Sequence, residues 1–215
     1  MFNSIFPKIH KEGYKFLAIS ILITFIVLFF SKFLGFILIL ISVWVYYFFR
    51  DPERFSINDE SYLVSPADGL ITDISEKSGP EELRLENITY TKVSVFMNVF
   101  NCHVNRIPTA GKIEEIYYKP GKFLNASLDK ASEENERNYY RIKDVHGNNI
   151  IIVQIAGLVA RRIVCETSKD QELMQGERIG MIRFGSRADV YYENYKPLVK
   201  IGQRSISGET LLAKK

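Results

Sequence analysis

Two long apolar runs at the start of the chain limit what the rest can be. From Phe16 to Phe30 the sequence reads FLAISILITFIVLFF without a charge. After Ser31-Lys32 it resumes as FLGFILILISVWVYYFF, ending at Phe49. As helices at ~1.5 Å per residue these runs would be roughly 22 and 26 Å long, each a little short of the ~30 Å hydrocarbon core of a bilayer. The pattern predicts a hydrophobic helical hairpin, residues 16–30 and 33–49, with Lys32 at the turn or reaching back to an interface. Lys8, Lys11 and Lys15 precede the first run and Arg50 follows the second, which predicts that both ends face the cytoplasm. No small-residue cleavage site follows the first run, and a second apolar run does. That argues for a permanent anchor over residues 1–50 rather than a removed signal peptide. Trp44, Tyr46 and Tyr47 suit either the interfacial belt or packing on the domain that follows.

The charge balance separates the two parts. The first 50 residues hold five Lys/Arg against Glu12, so residues 51–215 carry 23 basic and 24 acidic groups of the 28 and 25 in the whole chain. A folded part without a basic stripe is not the surface of a nucleic-acid binder. The two cysteines, Cys102 and Cys165, form no CxxC and have no closely spaced His. Neither a metal site nor a disulfide framework is expected, and a reducing setting fits.

After Arg50-Asp51-Pro52 the texture changes. Short apolar stretches alternate with Gly, Pro, Asn and Asp: VSPADGLITDIS, TKVSVFMNVF, GKIEEIYYKPGK, NNIIIVQIAG, ARRIVCE, RIGMIRFGSRADVYYE and PLVKIGQ. Such runs read as short strands. Asp144-Val-His-Gly-Asn-Asn149 reads as a hairpin turn, and residues 122–138 as a polar loop or one short helix. The fold class expected is mainly β (α+β), a sandwich or barrel-like domain of short strands over residues 51–215. The glycines of Gly176–Gly180 and Gly202 mark tight turns.

Three histidines are present. His10 falls in a polar tail and His146 in the hairpin turn, and both are expected in solvent. His103, in VFMNVFNCHVNRIP, ends a strand and enters a turn. A packed, hydrogen-bonded role would account for it, but it is also the favoured group for proton transfer near neutral pH. Asp68, in Ser65-Pro66-Ala67-Asp68-Gly69, reads as a turn residue or as an acid that orients His103 or activates a hydroxyl. Ser186 follows Gly185 in RFGSR. A serine hydroxyl can turn back onto an unshielded glycine carbonyl when the turn is strained and a base is close, although most Gly-Ser pairs are plain turns.

PADG, FNCHVNRIP, GLVARRIV and GERIGMIRFGSRADVY, in this order behind an apolar anchor and joined by PGKFLNASLDKASEENERN, resemble the phosphatidylserine decarboxylase family, most closely its short bacterial and archaeal-type members. The resemblance covers residues 51 to about 200. It implies an inactive proenzyme that cleaves itself between Gly185 and Ser186, giving a β chain of residues 1–185 and an α chain of residues 186–215 that stay associated. Ser186 then becomes a covalent pyruvoyl group, with Asp68 and His103 assisting, and no metal is required. The ketone of that group would hold the serine amine of phosphatidylserine, accept the electrons left by departing CO2, and yield phosphatidylethanolamine after His103 returns a proton. Longer family members carry a second histidine three residues on, where this chain has Arg106, so the division of labour between Asp68 and His103 stays open. For the lipid phosphate the cationic candidates are Arg161, Arg162, Arg183 and Arg187. The location implied is the inner membrane, with the catalytic domain on the cytoplasmic side, within phospholipid biosynthesis. A homo-oligomer is left open. Two alternatives remain: a decarboxylase of another serine-headed lipid such as archaetidylserine, and a noncatalytic membrane-tethered β-domain. A G-x-S-x-G hydrolase elbow is not present at FGSRA.

Overall fold

A computed structural model describes residues 7–124, 134–157, 162–183 and 186–215. The chain divides into two compact units, Met1–Glu53 and Arg54–Lys215.

In the first unit, α1 (Gly13–Phe30) and α2 (Lys32–Phe48) are separated by Ser31 alone, which is extended and whose hydroxyl caps α2 by accepting from Leu34 N. The break between the apolar runs is therefore a single residue, and Lys32 opens the second helix. The two helices lie against each other. A Cβ at Gly35 would fall 2.3 Å from the Leu28 side chain, so glycine allows the close approach, and Thr24 Oγ1 lies 3.2 Å from Ser42 Oγ. Helix α1 is long and apolar enough to cross a membrane, with mean hydropathy 2.2 over 18 residues; α2 is a shorter apolar helix. His10 departs from expectation: it is buried. Residues 8–10 turn back along the end of α2, with His10 N donating to Phe49 O and Asp51 N to Lys8 O, so that Ile9 and Arg50 form a single β-bridge.

The second unit is built from antiparallel strands: β1 (Tyr62–Val64), β2 (Gly69–Ser78), β3 (Thr89–Met97), β4 (Val104–Arg106), β5 (Gly111–Lys119), β6 (Arg137–Asp144), β7 (Asn149–Ala156), β8 (Ile163–Cys165), β9 (Glu172–Leu173), β10 (Arg178–Ile182), β11 (Ser186–Tyr192), β12 (Lys196–Pro197), β13 (Arg204–Ser205) and β14 (Leu211–Lys214). One eight-stranded sheet runs β13-β2-β3-β11-β7-β6-β5-β9. Two three-stranded sheets run β1-β14-β12 and β4-β10-β8. The expected mainly β domain is what forms. The β6–β7 hairpin closes at Asp144–Asn149 as its turn residues require, with His146 exposed at the tip.

Strand side chains alternate between faces, and here both faces are covered. One face packs Val93, Val95, Ile142, Ile150, Ile152, Ala188 and Val190 against Leu63, Leu212, Ile163, Ile179 and Ile182 of the two small sheets. The other packs Tyr90, Tyr139, Ile151, Val153 and Ile155 under the 3-10 turn Glu81–Leu83 and Leu85. The arrangement is a sandwich with its main core between the large sheet and the two small ones. The expected polar segment at 122–138 falls mostly outside the described residues.

Candidate active site at Ser186

Three residues of chain, Arg183 to Gly185, carry the backbone from the end of β10 in a small sheet to the start of β11 in the large one. Ser186 is the first residue of β11. It pairs with Met97 of β3 on one side and Ala156 of β7 on the other, and it is wholly buried. Among the described residues, its hydroxyl contacts the Met97 sulfur, Oγ to Sδ 3.7 Å. A thioether is a weak acceptor, so little is lost when this hydroxyl turns toward another group. Phe184 and Gly185 lie outside the described residues.

His103 immediately precedes β4 and is also fully buried. Its carbonyl accepts from Ile182 N at 3.3 Å, which places it beside the strand end that leads to Ser186. The ring Nδ1 is 3.0 Å from Asn101 O. A carbonyl can only accept, so the neutral ring keeps its proton on Nδ1 and Nε2 is the basic nitrogen.

Asp68 stands before Gly69, the first residue of β2, on the far side of β3 from Ser186. Two inter-strand steps put its backbone roughly 10 Å from that of Ser186. A Cβ at Gly69 would lie 2.2 Å from Phe96 O, so only glycine lets the Asp68 turn come this close to β3. The carboxylate is gripped by Arg54, whose Nη2 donates to Oδ1 at 3.2 Å and Oδ2 at 2.9 Å, and by Ser207 N at 2.8 Å. The turn itself is pinned through Pro66 O, which accepts from Arg106 N, Ser207 Oγ and Asn105 Nδ2. The structure thus gathers Ser186, His103 and the Asp68 turn at one end of the sheet, with Arg54 and Ser207 as the carboxylate's partners. Sequence reasoning missed both partners, because neither lies near Asp68 along the chain.

The arginines separate. Arg187 follows Ser186 in the strand and so points to the opposite face, where it is buried against Asp189 with Nη2 to Oδ2 at 3.0 Å and Nε to Oδ1 at 2.8 Å. Alternation and this pairing remove it from the lipid-facing candidates. Arg162 is exposed and Arg183 half-buried, and Arg183 N donates to Arg162 O, so these two sit side by side next to the link into Ser186. Arg161 lies outside the described residues. Arg106, at the position three beyond His103, is buried with Nη1 donating to Gly176 O at 2.8 Å. Its guanidinium therefore serves the loop before β10.

A buried chain of neutral polar groups also reaches this end of the sheet. Tyr140 OH donates to Gln154 Oε1 at 2.8 Å, and Gln154 Nε2 donates to Asn105 Oδ1 at 2.8 Å. Asn105 Nδ2 then contacts Met97 Sδ at 3.6 Å and Pro66 O at 3.3 Å. The available signal for it was Gln154, the lone polar residue inside IIIVQIA. Two cavities, about 510 Å³ between α1 and α2 and about 550 Å³ beside the β6–β7 hairpin, are lined by other residues. Among the described residues no three His, Cys, Asp or Glu side chains gather closely enough to hold a metal ion.

One end of the sheet thus holds a buried serine opening a strand, a buried histidine bonded to the end of the preceding strand, and an anchored acidic turn. The family model for phosphatidylserine decarboxylase matches residues 41–213. Three relatives, each named phosphatidylserine decarboxylase proenzyme, align along nearly the whole chain. That of Pelagibacter ubique is 70% identical over 215 residues, all of both chains. That of Ruegeria pomeroyi is 52% identical over 214 residues, 99% of this chain and 98% of its own. That of Rickettsia typhi is 49% identical over 213 residues, 99% and 92% respectively. The chain belongs to the phosphatidylserine decarboxylase family.

Proposed function

We propose that the chain is a proenzyme which splits itself between Gly185 and Ser186 and then decarboxylates phosphatidylserine to phosphatidylethanolamine. The observation that carries this reading is the position of Ser186: wholly buried, first in its strand, in weak contact with Met97 among the described residues, and joined by three residues to the strand beside His103. In the splitting reaction Ser186 Oγ attacks the Gly185 carbonyl carbon, the amide C–N bond breaks and an ester forms. Elimination then frees the Gly185 carboxylate, and water replaces the nitrogen at residue 186, which leaves as ammonia. His103 Nε2 is the base for the hydroxyl proton, and Asp68, fixed by Arg54 and Ser207, is the supporting acid.

The product at residue 186 is a pyruvoyl group, and the residues around it fit one. The site's side chains are buried, and the Asn105 amide beside Met97 is a donor suited to a carbonyl oxygen. When present, the group supplies a ketone that binds the substrate amine and accepts the electron pair released with CO2. The chain's own part is to exclude water, to hold the headgroup and to return a proton from His103 to the carbon that lost CO2. Arg162 and Arg183, side by side next to the link into Ser186, are the guanidinium groups this reading assigns to the lipid phosphate. With α1 and α2 in the membrane, substrate meets the site by local encounter rather than by extraction from the bilayer. The basic residues flanking the helices support a cytoplasmic side of the inner membrane for the β unit.

Intact-mass measurement of the purified, lipid-supplemented protein tests the reading. The expected result is two chains split after residue 185, the smaller one blocked at its N-terminus, with Ser186→Ala giving a single full-length inactive chain. Normal splitting of Ser186→Ala would overturn the assignment.

A further inference from the structure

Two hydrogen-bond donors converge on one poor acceptor at the Ser186 rung. The Ser186 hydroxyl and the Asn105 amide each contact Met97 Sδ, at 3.7 and 3.6 Å, and all three side chains are buried. Buried donors normally find oxygen, and sulfur is a weak substitute. The other bond of Asn105 Nδ2, to Pro66 O, is long at 3.3 Å, and that oxygen already accepts from two other donors. The orientation of the amide is nevertheless imposed from behind. Burial pushes the Tyr140 phenol well above its ordinary pKa, with the neighbouring Cys165 thiol adding to the effect, so it stays a donor. Its O–H takes Gln154 Oε1, which turns Gln154 Nε2 onto Asn105 Oδ1 and leaves Asn105 Nδ2 facing the rung.

We propose that Asn105, oriented by Gln154 and Tyr140, is the hydrogen-bond donor to the carbonyl oxygen created at residue 186 when the chain matures. The inference rests on self-processing at Ser186 as argued above. Maturation removes one donor from the rung, the hydroxyl, and creates an acceptor there, which corrects the imbalance on Met97. An amide also suits the place chemically. It polarises a ketone without being able to condense with it, whereas a lysine amine would compete with the substrate. Gln154 and Tyr140 act through Asn105 and are positioning residues.

The test uses the full-length protein in detergent with phosphatidylserine mixed micelles. Three quantities are measured: the fraction of chain split, the rate at which phenylhydrazine captures the ketone, and kcat and KM. Asn105→Leu should split as the wild type does, while hydrazone formation and kcat fall by about 100-fold, the scale of one lost donor at a reacting carbonyl, and KM barely moves. Gln154→Glu offers only acceptors to Asn105, so the amide turns its nitrogen away from the rung. That variant should lose about 10-fold in both rates with Asn105 untouched, a smaller loss than outright removal of the donor. Split Asn105→Leu with wild-type hydrazone and turnover rates overturns the proposal. So does a folded Asn105→Leu that fails to split, which would assign Asn105 to cleavage instead. Should Asn105→Leu not fold, Gln154→Glu decides alone, and a wild-type hydrazone rate there sinks the idea. A wild-type chain that never splits is a separate result and counts against the processing reading itself.

Discussion

Near Ser186, on the face of the large sheet that it shares, Tyr140 and Gln154 form a buried neutral relay that leads to Asn105 of β4. On the opposite face they are charged and paired: Arg187 with Asp189, and Glu82 with Lys119 and Arg137. Both faces are dry, so both must satisfy what they bury, yet they do it with different chemistry. Neutral dipoles orient neighbouring groups without adding a fixed charge, which suits the proposed carbonyl at residue 186. Charge pairs on the far face tie its strands and the Glu81–Leu83 turn together. The difference implies that the two faces fail differently: damage to one should remove activity, and damage to the other should remove stability.

The largest expected effect tests the first half of that statement. His103→Asn keeps a hydrogen-bonding group for Asn101 O but removes the basic nitrogen. Turnover should fall by about 1,000-fold, within the range for loss of a general acid–base, while the urea midpoint moves little. Retained turnover would take His103 out of the mechanism.

The far face should give the complementary result. Asp189→Asn removes the carboxylate paired with the buried Arg187 guanidinium, and unfolding in urea should show a loss of about 3 kcal/mol. Activity per folded molecule should survive. A double variant, Arg187→Met with Asp189→Leu, should recover most of that stability, because removing both charges removes the desolvation cost with the attraction. If Asp189→Asn instead stops chain splitting at unchanged stability, the division between faces is wrong.

These contrasts also mark what could be read from the chain directly. The helical pair, the strands and the Asp144–Asn149 hairpin were legible because each is written in local pattern: an uncharged run, a short apolar stretch, a turn dipeptide. Ser186, His103 and Asp68 stood out because their neighbours resemble a family. What local pattern could not show was pairing between distant strands. The relay joins β6, β7 and β4, and the grip on Asp68 comes from Arg54 and Ser207. Charge alone makes Arg187 a phosphate candidate, because composition carries no direction. Once Ser186 is known to open a strand, period-two alternation sends Arg187 to the other face. His10 was misjudged for the same kind of reason, since its burial depends on a reversal of the chain against the end of α2.

The smallest effect sharpens the comparison through pH. Burial pushes the Glu82 carboxyl up, but the Lys119 hydrogen bond and the Arg137 charge outweigh it and hold the group below its ordinary value. A depressed folded pKa means that the stabilisation is fully present above the unfolded value near 4.5 and is lost as pH falls through the folded one. Stability of the wild type should therefore be flat in this respect from pH 7 to about 5 and decline below that. Asp73 and Asp144 are depressed as well, so the informative quantity is the difference between wild type and Glu82→Gln. That variant should cost about 1 kcal/mol at pH 7, a modest figure because the Lys119 end is partly exposed and screened. The gap should close as the solution is acidified below pH 4.5. A gap that stays constant with pH would mean that Glu82 acts through packing rather than charge, and that the far face is not held electrostatically at this corner.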